Sequence, residues 1–282
     1  MFVLLNNKFI DRQDSLIDIE DRGNQFGDGV YEVFRIYDGE YFLLDDHLKR
    51  LEFSLKETQI DYNLNQSKLK DQLLTLAQKN DVVDGGIYLQ ISRGSAARNH
   101  PFPEQTTPTV LAYPIPVTQP KEQQQNGIQA TLYQDIRWLR CDIKSLNLLG
   151  NVMAKQHALD YGVNEAIFYR DKDHVTEGSS CNVFIVRDGV IQTHPANNYI
   201  LNGITRLYIQ YLAKQLDIPI KEEVFSVDEL KQADEVFISS TTSEVISVID
   251  IDGQTIGDGQ PGPVAQQLLD AFFDHKDIQQ LP

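Results

Sequence analysis

Apolar and polar residues alternate from the first positions. Residues 2–5 and 9–10 read as short strands around an Asn6-Asn7 turn. A polar stretch, DRGNQFGDG (21–29), reads as loop. VYEVFRIY (30–37) then reads as a strand, Asp38-Gly39 as a hairpin turn, and YFLL (41–44) as its partner. The apolar period then lengthens. Leu48, Leu51 and Leu55 share one face of a helix capped by Asp45 or Asp46 and running to about Ile60. Ser67 starts a second helix with Leu69, Leu73, Leu76 and Ala77 inward. GIYLQIS (86–92) and TVLAYPIPV (109–117) are further strands, joined by a long exposed loop, RGSAARNHPFPEQTTP (93–108).

TQPKEQQQNG (118–127) has no apolar period and reads as a linker. It divides the chain into a smaller N-terminal α/β domain, 1–119, and a larger C-terminal domain, 120–282. Beyond it the pattern predicts a strand over 128–135, the segment RWLRCDIKSLN (137–147) and a helix over 148–161. EAIFYR (165–170) and NVFIVRDGVIQTH (182–194) read as strands, the latter turning at Asp188-Gly189. A helix over 203–216, strands near 220–225, 235–239 and 245–250, and a helix over 263–274 complete the chain. Strands and helices mix without regular βαβ alternation, so the expected class is α+β.

Length agrees, since 282 residues suit one large or two moderate domains. Charge narrows the partners. Lys and Arg total 25 against 41 Asp and Glu, a net charge of −16. Such a field repels nucleic acid and anionic membrane. An anionic substrate would need a local positive trap. Two cysteines, Cys141 and Cys181, define no disulfide framework and suggest reduced thiols in the cytoplasm. The opening MFVLLNNKFIDRQD lacks the basic and long apolar regions of a signal peptide, and no run of 18 apolar residues suggests a membrane span.

Several chemistries lose support. The six histidines never fall at i, i+4, so no metal site is expected. GxSxG and GxxxxGK[ST] do not occur. Gly257, Gly259 and Gly262 match GxGxxG, but too near residue 282 for a βαβ unit, so they read as a turn before the last helix.

Other residues suggest a site. Gly203-Ile204-Thr205 opens a helix, where free N–H groups and the dipole favour an anion. SSTTS (239–243) ends a strand with consecutive hydroxyls. Lys144 follows Arg137 and Arg140; cations and burial there would favour the neutral amine of a Schiff-base lysine. Glu177 in VTEGSSCNVF could hold a pyridinium N–H. Arg98 and His100 in the exposed loop could grip a carboxylate. Tyr31, which shares a strand with Arg35, could donate a phenol hydrogen bond. Taken singly, each is more simply a helix start, a polar turn, a solvated charge or a packing tyrosine.

Together they mean more. DRGNQFGDGVYEV (21–33), RGSAARNH (93–100), DIRWLRCDIKSLNLLGNVMAKQ (135–156), VTEGSSCNVF (175–184), THPANNYILNGITR (193–206) and SSTTSE (239–244) stand in one order. The chain resembles, over nearly its whole length, the class IV (fold type IV) pyridoxal-phosphate aminotransferases. Within them it is similar to the bacterial D-amino acid aminotransferases. The resemblance implies a two-domain fold whose C-terminal part is a strand-rich pseudo-barrel, and pyridoxal 5′-phosphate (PLP) as cofactor. It implies that Lys144 binds PLP covalently and shuttles the proton, and that Glu177 pairs with the ring nitrogen. Arg50, Ile204, Thr205, Ser240 and Thr241 would bind the phosphate, and Leu201 would press on the ring. Tyr31, Arg98 and His100 would take the substrate carboxylate, the last two from the other subunit of a homodimer. One departure is Cys181, where the family pattern has a third serine, which leaves that hydroxyl's role in doubt.

The implied reaction is ping-pong amino transfer from a D-amino acid such as D-alanine to a 2-oxo acid such as 2-oxoglutarate, supplying D-amino acids for bacterial cell-wall synthesis. The rivals on the same fold are a branched-chain L-amino acid aminotransferase and an aminodeoxychorismate lyase; the Arg98–His100 pair beside Tyr31 argues against both. A non-catalytic phosphate- or vitamin-binding protein would have no need of Lys144.

Overall fold

The computed structural model describes residues 1–64, 66–276 and 278–281. Its strands form two sheets, as the α+β expectation requires. The first contains β1 (Phe2–Leu5), β2 (Lys8–Asp11), β3 (Gly29–Tyr37), β4 (Glu40–Tyr41), β5 (Gly85–Ser92) and β6 (Thr109–Ile115), in the order β2-β1-β6-β5-β3-β4. Helices α1 (Arg22–Phe26), α2 (Leu44–Glu57) and α3 (Leu69–Lys79) interrupt it. Val30, Phe34 and Ile36 point from β3 into a core with Leu51, Leu55, Leu69, Leu73 and Leu76. Each such side chain contributes about 1.5–3 kcal/mol when fully buried.

Three local expectations are corrected. DRGNQFGDG contains α1, whose single turn is too short to show a period. Asp21 caps it by accepting from Gly23 N (2.8 Å), and Gly27 ends it in the left-handed region at φ 65°. Helix α2 begins at Leu44 without a side-chain cap, and Asp45 and Asp46 lie in its first turn, where the dipole favours them. The partner strand in YFLL stops at Tyr41, because Phe42 and Leu43 pack with Tyr208 and Phe272 from the far end of the chain.

The expected linker also holds a helix, α4 (Lys121–Asn126). Its Gln124 is buried and donates to Glu244 Oε2 (2.8 Å), an attachment that no apolar pattern could signal.

The second sheet comprises β7 (Ile128–Gln134), β8 (Glu165–Tyr169), β9 (Val175–Gly178), β10 (Asn182–Arg187), β11 (Val190–Thr193), β12 (Ile220–Glu222), β13 (Glu235–Ser240), β14 (Glu244–Ile251) and β15 (Gln254–Thr255). Helices α5 (Leu149–Asp160), α6 (Ile204–Gln215), α7 (Val227–Lys231) and α8 (Pro263–Asp274) accompany it. The order is β12-β11-β10-β13-β14-β7-β8-β9, with β15 beside β14. Asn182 of β10 pairs back with Glu177 of β9. That pairing closes the strands from β10 round to β9 into a ring, the strand-rich barrel expected from the resemblance.

Candidate active site

Lys144 lies on a segment bonded across β3 and α2. Its carbonyl accepts from Tyr31 N (3.0 Å), and its N–H donates to Ser54 Oγ (3.2 Å). These bonds fix the backbone and leave the amine uncommitted. Among the described residues Nζ makes no hydrogen bond or ion pair, and it stands 4.3 Å from the centroid of the Tyr31 ring. The two arginines expected beside it are both engaged by carboxylates. Arg140 turns to Asp142 (2.9 Å) and Glu57 (2.5 Å), while Arg137 turns to Asp135 and Glu177. Neighbouring carboxylates neutralise both arginines.

Glu177 sits within β9, buried where the barrel closes. Oε1 accepts from Arg137 Nη1 (2.6 Å); Oε2 accepts from Leu201 N (3.0 Å) and Asn182 Nδ2 (3.4 Å). Burial pushes its carboxyl above the ordinary range, and Arg137 and the Leu201 N–H pull it only part of the way back. Arg137 does not drift, because Asp135 holds its Nε and Nη2 at 2.9 Å.

Arg50 reaches the same cleft from α2. Glu32 grips it by a fork, accepting from Nε and Nη2 at 2.8 Å each, and Asn202 O accepts from Nη1 at 3.2 Å. Burial would raise the Glu32 carboxyl, but the Arg50 charge and the hydrogen bonds of Arg50 and His47 outweigh it and hold it at about 2. Burial keeps His47 below its usual range, so the neutral ring donates from Nδ1 to Glu32 (2.8 Å). Around Arg50 stand donors suited to an anion. Helix α6 starts at Ile204, and among the described residues no side chain caps its first turn. A Cβ on Gly203 would collide with Asn182 Oδ1, which explains glycine at this position. Thr205, Ser240 and Thr241 bring hydroxyls, and buried Ser239 Oγ has no partner among the described residues.

Tyr31, Arg50, Lys144, Glu177, Leu201, Ile204, Thr205, Ser240 and Thr241 therefore line one open cleft. Arg98 and His100 do not line it; both are exposed on the 93–108 loop. That loop is anchored at its root, where buried Arg93 meets Asp28 at 2.8 Å. Arg35 does not line the cleft either; it is fully buried and pairs with Asp84 (2.5 Å). Cys181 does line the cleft, backed by apolar side chains of the barrel, and burial drives its thiol well up.

Against this geometry stand the likenesses to known proteins. The family model for class IV aminotransferases matches residues 29–251. The chain belongs to the class IV aminotransferases. It is 49% identical over 271 residues to the D-alanine aminotransferase of Staphylococcus haemolyticus, covering 96% of each protein. It is 51% identical over 272 residues to that of Bacillus licheniformis, again over 96% of each. Among solved structures it is similar to the branched-chain amino acid aminotransferase from Escherichia coli, with a TM-score of 0.89 and 27% identity over 99% of this chain and 95% of that one. The T.th. branched-chain amino acid aminotransferase with pyridoxamine 5′-phosphate gives 0.89 and 25%, with the same coverage.

As a class IV aminotransferase the chain uses PLP. The cleft fits that group chemically. It offers a free amine, a buried acid, a fork of positive charge, an uncapped helix start and an unsatisfied buried hydroxyl. Sequence reasoning missed the residues that hold others in place. Glu32 had a visible signal: period two puts it on the core face with Val30, Phe34 and Ile36, where a charge needs a partner. Asn182 and the pairing of Arg137 with Glu177 had none.

Proposed function

We propose that this aminotransferase moves the amino group reversibly between a D-amino acid such as D-alanine and a 2-oxo acid such as 2-oxoglutarate (D-alanine + 2-oxoglutarate = pyruvate + D-glutamate). The observation that carries the transfer chemistry is the uncommitted Lys144 amine in a cleft whose other charged groups are paired. The D-hand is supported by the relatives named D-alanine aminotransferase at about half identity along 96% of the chain, and by the Arg98–His100 pair.

PLP, when bound, supplies an electron sink that lets the Cα–H bond of the attached amino acid break. Lys144 would hold it covalently and then carry the proton from Cα. Glu177, fixed by Arg137 and Leu201 N, would hold the ring nitrogen. Arg50, the first turn of α6, and the hydroxyls of Thr205, Ser240 and Thr241 would hold the phosphate. Leu201 would bear on the ring, and Asn182 Nδ2 fixes its carbonyl at 2.8 Å. Tyr31, with Arg98 and His100, would anchor the substrate carboxylate. Lys144 serves one face of the cleft, so a fixed carboxylate decides which enantiomer turns its Cα–H to the amine.

The working unit in this reading is a homodimer with active sites at the subunit interface. Arg98 and His100 have no place in their own cleft; exposed Trp138 lines it, and exposed Leu149 (73%) and Val152 (60%) directly follow its lining residues Leu148 and Asn151 in the chain. A second copy would cover such a patch. The reading also takes 1–119 and 120–282 as two domains, since the two sheets divide between Ile115 and Ile128. It places the protein in the cytoplasm, in keeping with two free buried cysteines. No helix of the described residues is long and apolar enough to cross a membrane.

The test is a panel of D- and L-amino acids with 2-oxoglutarate as acceptor. Turnover of D-alanine with its L-isomer at background supports the proposal. Preference for L-leucine or L-valine would replace it with the branched-chain reading, and pyruvate release from aminodeoxychorismate with the lyase reading.

A further inference from the structure

Helix α1 touches the 93–108 loop at both backbone and side chains. Arg22 is buried, 3% exposed. Its Nη1 donates to Asn99 O (2.6 Å) and Pro101 O (3.4 Å), and its Nη2 to His100 O (3.2 Å). One guanidinium thus holds three consecutive carbonyls. Its Nε donates to Asp28 Oδ2 (2.7 Å), the carboxylate that also takes Arg93 from the root of the loop. Burial opposes ionisation of Asp28, but the two arginines hold its carboxyl below the usual range.

Four residues along, Phe26 offers a ring face. The Arg98 guanidinium lies 4.5 Å from its centroid and that of Arg22 4.7 Å, with the His100 ring centroid at 5.5 Å. Arg98 Nη1 also reaches Gln25 O (3.4 Å). Arg98 and His100 are otherwise exposed. A free arginine loses rotamer freedom when a ligand fixes it. A platform that has already ordered it removes part of that cost from binding.

We propose that Arg22 and Phe26 are positioning residues that set carboxylate selectivity by pre-ordering Arg98 and His100, Arg22 through the loop backbone and Phe26 through the side chains. This rests on the reading that Arg98 and His100 anchor the substrate carboxylate. A purely structural Phe26 would be replaced adequately by any apolar side chain of similar bulk. A platform needs the ring face.

The experiment measures half-reactions of the PLP-loaded enzyme with D-alanine and with D-alaninol, which keeps the amine and Cα–H and lacks the carboxylate. Phe26→Leu, Phe26→Tyr, Arg22→Lys and, as control, Arg98→Met are compared. Phe26→Leu should lose about three- to thirtyfold in kcat/KM for D-alanine, carried by KM, and far less for D-alaninol. Phe26→Tyr should stay near the native value. Arg22→Lys keeps charge toward Asp28 and cannot span three carbonyls, so it should follow Phe26→Leu. Coenzyme affinity should not move. If Arg98→Met is selective for D-alanine while Phe26→Leu and Arg22→Lys behave like the native enzyme, the platform is overturned and the proposed function stands. Equal losses on both substrates in Phe26→Leu overturn it too, since they report damage to the fold. If Arg98→Met is itself unselective, the carboxylate reading fails and takes the platform with it.

Discussion

The two ends of the proposed substrate site are built in opposite ways. At the coenzyme end, the charged groups around Lys144 are buried and paired within one chain. Glu177 has three donors, and Arg50 is held by Glu32 and Asn202. At the carboxylate end, Arg98 and His100 stand exposed, resting on one ring, with Arg98 Nη1 reaching Gln25 O and the carbonyls of Asn99, His100 and Pro101 pinned from below. Burial and multiple hydrogen bonds give the first end a fixed geometry suited to one coenzyme. The second is held by a shallow platform on a surface loop, the kind of segment where specificity can change without disturbing a core.

The sharpest way to break that contrast is at its centre. Lys144→Ala should cost on the order of ten-thousandfold in turnover, because in the proposed reading one side chain supplies both covalent attachment and proton transfer. The paired charges around it are untouched, so coenzyme should still bind through its phosphate. Borohydride reduction followed by mass spectrometry should place the pyridoxyl label on Lys144 in the native protein. A label on another lysine sinks the assignment.

If the carboxylate end belongs to the partner chain, two dead enzymes should repair each other. Lys144→Ala and Arg98→Met chains, mixed and allowed to exchange, would form heterodimers with one good site each. Random pairing gives recovery to about a quarter of native activity. No recovery, with heterodimers confirmed by mass, means each subunit completes its own site.

The contrast also explains what the sequence made legible. Long periodic elements such as β3, α2, α3 and α8 show in local pattern, because a helix or strand face meets one core. Lys144 and Glu177 stood out through their motifs. Held in place by neighbours far along the chain, the same residues lose that legibility: Arg137 and Glu177 are 40 positions apart, Arg22 and Asn99 are 77. No local period encodes such pairs. The short helices α1 and α4 were missed for a related reason. Each is fixed by caps or a buried amide rather than by an apolar stripe. Glu32 alone was within reach, as a charge on the inward face of an apolar strand.

Glu32 tests how firmly the coenzyme end is built. Its carboxyl is held at about 2 against an ordinary 4.5, and it is wholly buried. A depressed pKa contributes stability that is fully present above about 4.5 and lost as pH falls through about 2. The shift corresponds to about 3 kcal/mol. Glu32→Gln should therefore be less stable by about that amount at pH 7, with the gap closing on acidification towards pH 2. Urea unfolding at several pH values measures it. A gap that stays constant with pH would show that Glu32 acts through packing rather than charge.

The smallest expected effect is at Glu177, and its smallness is part of the argument. Glu177→Gln keeps the side-chain length and an amide oxygen that can accept from Arg137 Nη1 or Leu201 N, now 2.6 and 3.0 Å from the carboxylate. It removes the negative charge. Unlike Arg50, Arg137 is not stranded by the change, because Asp135 still takes its Nε and Nη2. Stability should fall modestly, because the new amide NH2 faces a donor on one side, while coenzyme affinity should move little. What changes, in the proposed reading, is the partner offered to the ring nitrogen, from a charge-assisted acceptor to a neutral one. That difference is about 1–2 kcal/mol, or roughly five- to thirtyfold. It should fall on the step in which Lys144 takes the proton from Cα, and so on the single-turnover rate with D-alanine. Stopped-flow spectra of the half-reaction, beside a coenzyme titration, separate the two quantities. A native single-turnover rate would remove Glu177 from the proposed role, and lost affinity at an unchanged rate would make it a binding group instead.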